Sequence, residues 1–197
     1  MNTDVNISRK EQIIRVSSRL FKEKGYMGTS MRDIAGELDI EAASLYSHIK
    51  SKDEILEEIC FTKAGELIKA MDEVNDIYFN AEEKLRMAVK EHVKILCNDL
   101  DDSSVFLHEW RHLDKPRKEE FKMLRNRYEG GFRKILQDGE DENVFDTVDK
   151  KFASLTILST LNWITEWYKP EGPMSPEEVG ENLCNFILTG LKKKPSI

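Results

Sequence analysis

Between Gly28 and Glu54 the sequence places three short helical signals around one tight turn, and few folds accept that arrangement. Met31, Ile34, Ala35 and Leu38 recur at i, i+3, i+4 and i+7, which puts one apolar stripe on a short helix. Ala42, Leu45 and Ile49 make a matching stripe immediately afterwards, leaving Ala43, Ser44, Ser47 and His48 on the opposite side. Ser51-Lys52-Asp53-Glu54 then fits the capping box that opens a third, longer helix. Helices this short cannot bury their own stripes, so they must pack on one another. The layout is that of a helix-turn-helix, whose second helix lies in the DNA major groove with small and hydrogen-bonding side chains turned outward.

Upstream, Ser8 caps a helix that buries Ile13, Val16, Leu20 and Phe21 and stops at Gly25. Ser30 to Asp33 resembles a second capping box, with Asp in place of Glu. Three groups of anchors then agree in spacing: Phe21-x-x-x-Gly25-Tyr26, Thr29-Ser30-x-Arg32-Asp33-Ile34-Ala35, and Ser44-Leu45-Tyr46-x-His48-Ile49-x-Ser51-Lys52. On these residues, from Arg9 to about Leu56, the chain resembles the N-terminal DNA-binding domain of the TetR (tetracycline-repressor-like) family. Two positions depart from the family pattern. Asp39 occupies the turn position where the family usually has Gly, and Asp is among the residues that best tolerate positive φ. Glu41 stands where Ser or Thr normally opens the recognition helix; its carboxylate repels phosphate but can accept from cytosine N4.

The rest of the chain also reads as helix, with no alternating strand pattern and no Asn-Gly hairpin signal. The third helix carries Ile55, Leu56, Ile59, Leu67, Ile68 and Met71 to about Asn75, and the spacing predicts further helices at 81–99, 103–114, 117–138, 147–169 and 176–192. Pro116 separates two of them, and Asp138-Gly139-Glu140-Asp141 reads as a break. Ser175-Pro176-Glu177-Glu178 supplies a cap, a proline at the first helical position and an acid at the third. The expected architecture is all-α, with a helix-turn-helix DNA-binding domain over 1–52 and an effector-binding and dimerisation domain over 53–197.

The last two helices carry unusually wide apolar surfaces. Phe152, Ala153, Leu155, Ile157, Leu158, Leu161, Trp163, Ile164, Trp167 and Tyr168 exceed the ~100° stripe of a helix with one buried face, and Val179, Leu183, Cys184, Phe186, Ile187 and Leu191 repeat the pattern. Such helices need two sets of neighbours. Either they sit centrally in one monomer, or a second copy supplies the missing set; the TetR resemblance implies a homodimer with a four-helix interface. Two-fold symmetry suits a helix-turn-helix, since a dimer reads two half-sites of a pseudo-palindrome about one helical turn (~34 Å) apart.

Net charge is −7 over 197 residues, which on its face opposes DNA binding. Residues 1–52, however, hold nine Lys/Arg against seven Asp/Glu, a net +2, so the remainder is −9. An acidic body keeps nucleic acid on the mildly basic end. Three widely spaced cysteines, Cys60, Cys97 and Cys184, without a C-x-x-C, read as reduced thiols of a cytoplasmic protein. Met1 to Lys10 is polar, and the most apolar later run is interrupted by Asn162, Thr165 and Glu166, so neither a secretion signal nor a membrane span is read.

Thr29, Ser30 and Arg32 at one helix start, Lys52 at another, and Tyr46 and His48 are expected to grip the DNA backbone. Glu41, Ala42, Ala43, Ser44 and Ser47 are placed to read bases, by hydroxyls and by methyl contact with thymine. For a small-molecule effector, the aromatic residues Phe106, Trp110, Tyr128, Phe132, Trp163 and Trp167 supply apolar surface, while Arg111, Arg125 and Asn162 can orient a polar end. The runs Tyr128-Glu129-x-x-Phe132-Arg133-x-Ile135-Leu136 and Asn162-Trp163-x-x-x-Trp167-Tyr168-x-Pro170-x-Gly172 are similar to a TetR branch whose members respond to acyl-CoA thioesters. A hydrophobic drug-like ligand is the rival. Ligand held between the long helix and the 103–114 helix would shift Ile55 to Met71 and spoil half-site spacing.

One motif competes. His108-Glu109-Trp110-Arg111-His112 is a literal H-E-x-x-H, the pattern of a zinc hydrolase in which two histidines bind metal and the glutamate acts as base. Such an enzyme needs a third ligand and a substrate-aligning strand, and the sequence offers no strand. The reading is therefore a non-enzymatic regulator without cofactor or metal. The alternatives are a metal-dependent hydrolase on His108, Glu109 and His112, and a helical ligand carrier that no longer binds DNA.

Overall fold

The computed structural model describes residues 8–146 and 148–192. The expected helix start at Thr147 lies outside the described residues, as does the first part of the polar segment Met1 to Lys10. Among the described residues the chain is built from helices: α1 (Arg9–Lys24), α2 (Met31–Glu37), α3 (Ala42–Tyr46), α4 (Lys52–Asp76), α5 (Ala81–Asn98), α6 (Leu100–His108), α7 (Lys115–Asp141), α8 (Lys150–Asn162), α9 (Ile164–Trp167) and α10 (Pro176–Leu191), with a 3₁₀ turn at Glu109–His112. Among the described residues no helix is long and apolar enough to cross a membrane.

Caps fix where several helices start. Reciprocal Ser-to-acid boxes close the N-termini of α1 (Ser8 with Glu11), α2 (Ser30 with Asp33) and α10 (Ser175 with Glu178), and Asn80 with Glu83 does the same for α5. At α4 only half of the expected box forms: Ser51 Oγ accepts from Glu54 N–H at 3.1 Å, but the Glu54 carboxylate turns back to Lys50 N–H at 2.8 Å. Gly25, with φ of 76°, ends α1 in a conformation that favours glycine.

The chain divides into two compact units. The first holds residues up to Lys63 together with Asp101–Phe121; the second holds Ala64–Leu100 and the residues from Lys122 onward. In the first, Ile13, Leu20, Phe21, Ile34, Leu45, Ile49, Ile55 and Leu56 form a core around the helix-turn-helix, each at most 3% exposed. In the second, α5 packs on α8, α9 and α10, with Leu85, Val89, Val93, Leu96, Leu161, Ile164, Val179 and Leu188 buried. Burying each such side chain stabilises the fold by ~1.5–3 kcal/mol.

Beyond the half-formed box at α4 the structure departs from the sequence expectation in several places: α3 ends at Tyr46, ahead of Ile49, and Pro116 lies in the first turn of α7. The 138–141 break does not occur: α7 continues to Asp141, and Gly139 is there because the Phe145 ring lies where a side chain would project, 2.1 Å from an added Cβ. The turn comes later, at Asn143, whose φ is 62°. The 147–169 helix is interrupted at Trp163, where Thr165 Oγ1 donates to Asn162 O at 3.2 Å and takes over a helix carbonyl. The 103–114 helix starts earlier, at Leu100, and its second half tightens into the 3₁₀ turn.

Candidate DNA interface and effector site

The turn between α2 and α3 closes by two backbone bonds, Ile40 N–H to Ala35 O at 3.0 Å and Asp39 N–H to Gly36 O at 3.1 Å. Asp39 sits between them with φ of 51°. This is a Schellman-type stop in which an Asp takes the left-handed position usually held by Gly. It delivers α3 and the turn that follows it with Leu45 and Ile49 inward, 0% and 1% exposed, and with Glu41, Ala43, Ser44, Tyr46, Ser47 and His48 outward. Ala42 is half-buried at the edge. Ser47 Oγ donates to Ser44 O at 2.7 Å, which leaves its oxygen lone pairs facing outward as acceptors. Glu41 caps α3 without a side-chain bond to it.

The expected backbone-gripping residues divide into two groups. Ser30 and Arg32 are exposed at the start of α2, and the Asp33 carboxylate there is held below its ordinary range by the Ser30 hydroxyl and backbone N–H. Thr29 and Lys52 bond to the protein's own carbonyls. Thr29 is 2% exposed, and its hydroxyl reaches Leu20 O at 3.2 Å and Gly25 O at 3.0 Å. Lys52 Nζ donates to Tyr26 O and Thr29 O, both at 2.7 Å, and lies 4.2 Å from the centre of the Tyr26 ring.

Tyr26 is the hub of this arrangement. Its hydroxyl donates to Asp53 at 2.6 Å, its N–H donates to Glu109 at 3.3 Å, and His112 stacks on its ring at 5.3 Å. Burial and the Asp53 carboxylate push the phenol pKa well above its usual value. The α6 segment is tied to α1 by Ser18 to Asp102 and by Lys22 to Asp101 at 2.8 Å. Arg117 adds a bond to Glu57 at 3.0 Å and stacks 3.8 Å from the Phe61 ring centre.

These contacts absorb the H-E-x-x-H motif. A 3₁₀ turn advances 120° per residue, so His108 and His112 do not share a helical face as metal ligands one turn apart must. Glu109 is bonded to Tyr26 and lies 3.5 Å from His112. Among the described residues no three His, Cys, Asp or Glu side chains are arranged to hold a metal ion.

The nine expected effector residues fall in both units. Phe106 and Trp110 pack on Phe121 in the first unit, at 5.6 and 5.7 Å, with Arg111 stacked over Trp110. In the second unit Arg125 is exposed on α7, and Trp163 and Trp167 are 64% and 40% exposed. Tyr128, Phe132 and Asn162 do converge, and they do so around His92, which the sequence reading missed. Tyr128 packs edge-on against Phe132 at 5.6 Å, and its hydroxyl meets His92 Nδ1 at 2.8 Å. Asn162 approaches the same imidazole. Burial pulls the His92 pKa down to about 4. The signal available in sequence was a lone polar residue among Leu85, Ala88, Val89, Val93 and Leu96 on the buried face of α5.

A separate apolar groove of about 690 Å³ runs between α8 and α10, lined by Val148, Phe152, Ile157, Phe186 and Leu191 among others. Phe152 and Phe186 are 73% and 75% exposed along it.

A short helix presented outward by a three-helix head, in an otherwise all-helical chain, defines a helix-turn-helix DNA-binding transcriptional regulator. Residues 13–59 match the description "Bacterial regulatory proteins, tetR family", and residues 79–191 match "Tetracyclin repressor-like, C-terminal domain". The chain belongs to the TetR family. It is 27% identical over 190 residues to the HTH-type transcriptional repressor KstR2 of Mycolicibacterium smegmatis, covering 93% of this chain and 91% of that protein. The crystal structure of the TetR family regulator PfmR from Thermus thermophilus is 34% identical, with a TM-score of 0.82 over 92% of this chain and 99% of PfmR. AibR, solved in complex with isovaleryl coenzyme A and operator DNA, shares the fold at 23% identity and a TM-score of 0.79, covering 91% of this chain and 97% of AibR.

Proposed function

We propose that this regulator is a cytoplasmic, non-enzymatic repressor that binds a pseudo-palindromic operator as a homodimer and is released by a small hydrophobic effector, an acyl-CoA thioester being the leading class. The observation that carries the DNA reading is the outward face of α3, polar and small, over a fully buried Leu45 and Ile49. Base reading falls to Glu41, Ala42, Ala43, Ser44 and Ser47; Ser30, Arg32, Tyr46 and His48 contact phosphates, and Thr29 and Lys52 hold the surface in place. The α8–α10 groove, with Phe152 and Phe186 in water, supports a second copy as its cover. The similarity to AibR, whose complex holds isovaleryl coenzyme A, supports the effector class.

An effector acts only through different affinity for two conformations. Helix α4 carries residues of both units without interruption, so a ligand that displaces its second half is expected to displace Ile55 and Leu56 in the core of the first unit. The test is selection of bound fragments from genomic DNA, followed by titration of the selected complex with acyl-CoA thioesters of two to sixteen carbons. The expected result is one symmetric site bound by a dimer and weakened 5- to 150-fold by one thioester, a coupling of ~1–3 kcal/mol. A monomer without preference over random competitor refutes the reading.

A further inference from the structure

Among the buried polar atoms of the second unit, His92 Nε2 stands out. The residue is 1% exposed, and this nitrogen has no hydrogen-bond partner. Its tautomer follows from its other nitrogen. Tyr128 is half-buried beside it and keeps its proton, burial having raised its pKa. Its hydroxyl hydrogen finds an acceptor in His92 Nδ1 at 2.8 Å. Nδ1 therefore accepts, and the imidazole proton sits on Nε2. The ring presents an N–H donor, uncharged, and the Asn162 side chain is the polar group that approaches it.

Asn162 ends α8 where the chain breaks before α9, and the next residue, Trp163, is 64% exposed. This is the point in that wall where a side chain can move aside at the cost of little regular helix. We propose that His92 is the effector's polar anchor: its Nε2–H donates to an uncharged carbonyl of the ligand, a thioester, ester or ketone, received between His92 and Asn162 at the α8–α9 break. The inference rests on the effector reading above and adds to it a donor atom and a ligand chemistry. A neutral donor offers a carboxylate no compensating charge, and desolvating an anion there is costly, so free acids are excluded where thioesters bind.

The test uses the full-length chain with acyl-CoA thioesters of two to sixteen carbons and the matching free fatty acids, for wild type, His92→Phe and His92→Gln. Binding is read by calorimetry, by release of the selected operator, and by the ¹⁵N resonances of the imidazoles, of which the chain has four. The expected result is a thioester that binds wild type, shifts the His92 Nε2 resonance and binds at least tenfold tighter than its free acid. Affinity falls at least tenfold in His92→Phe and is restored in large part by His92→Gln, whose amide keeps a donor; His92→Gln also carries the comparison should the Phe variant not fold. Equal thioester affinity in all three proteins, or an unmoved His92 resonance, overturns the anchor while leaving the effector reading intact. A free acid binding as tightly as its thioester overturns the uncharged-carbonyl requirement. If no thioester binds wild type, the effector reading fails and the anchor with it.

Discussion

Lys52 separates a DNA contact from a structural brace, because the two roles have different readouts. The structure gives its ammonium two carbonyl acceptors at 2.7 Å and the Tyr26 ring at 4.2 Å. Hydrogen bonds to a charged group contribute ~1.5–3 kcal/mol each, and a cation over a ring ~0.5–1 kcal/mol. The side chain is half-exposed, so solvent competes and the total is discounted to about 2–4 kcal/mol. Lys52→Met keeps the apolar stem and removes only the charge. At about 2–4 °C per kcal/mol for a chain of this size, melting should fall by roughly 4–16 °C. Operator affinity should fall as the α1–α2 turn loosens, yet the slope of log K against log salt should stay at the wild-type value, since no phosphate contact is lost. The assays are thermal denaturation and fluorescence anisotropy from 50 to about 300 mM salt. An unchanged melting temperature with a slope lowered by ~1 would show that the ammonium serves phosphate, and the reasoning would be refuted.

Three further outcomes are expected. His92 has its pKa depressed from 6.5 to about 4, so the unfolded chain binds its proton first as pH falls; stability is complete above pH 6.5 and declines by up to ~3 kcal/mol toward pH 4. His92→Gln should flatten urea-derived stability across that window, and an unaltered pH slope would contradict the assignment. Gly139→Ala adds a good helix former, worth ~0.5–1 kcal/mol, but drives its Cβ into the Phe145 ring, so net destabilisation of ~1–2 kcal/mol should appear in denaturant melts; a gain would mean that Phe145 repacks freely. Inserting five base pairs between the half-sites of the selected operator should reduce affinity at least as much as saturating effector does, and effector should then have little further effect.

What could be read in the sequence was whatever local chemistry decides. The caps at Ser8, Ser30 and Ser175, the tight turn at Asp39 and the inward stripe of Leu45 and Ile49 all follow from neighbours within a few residues. Gly139 misled because glycine has two uses, ending a helix or admitting a close neighbour, and only the fold shows that Phe145 takes the space. The H-E-x-x-H spacing implies a shared face only on an α-helix, and here the segment is a 3₁₀ turn committed to Tyr26. His92 was invisible as a site because one histidine on an apolar face ordinarily finds both its partners in the core. Its unpartnered Nε2 is a property of three helices together.

The weak charge of the head bears on how release works. With a net charge of only +2 over residues 1–52, one head alone is expected near the non-specific range, a Kd of roughly 10⁻⁶–10⁻⁴ M. In the proposed dimer the second head binds at an effective concentration of about 1 mM, so two heads at ~10⁻⁵ M each combine to roughly 10⁻⁷ M. Losing simultaneous engagement therefore costs about 100-fold, the same order as the 5- to 150-fold coupling typical of allosteric ligands. The effector need not weaken any contact on α3. In the proposed dimer it has only to stop both copies of α3 from reaching their half-sites together.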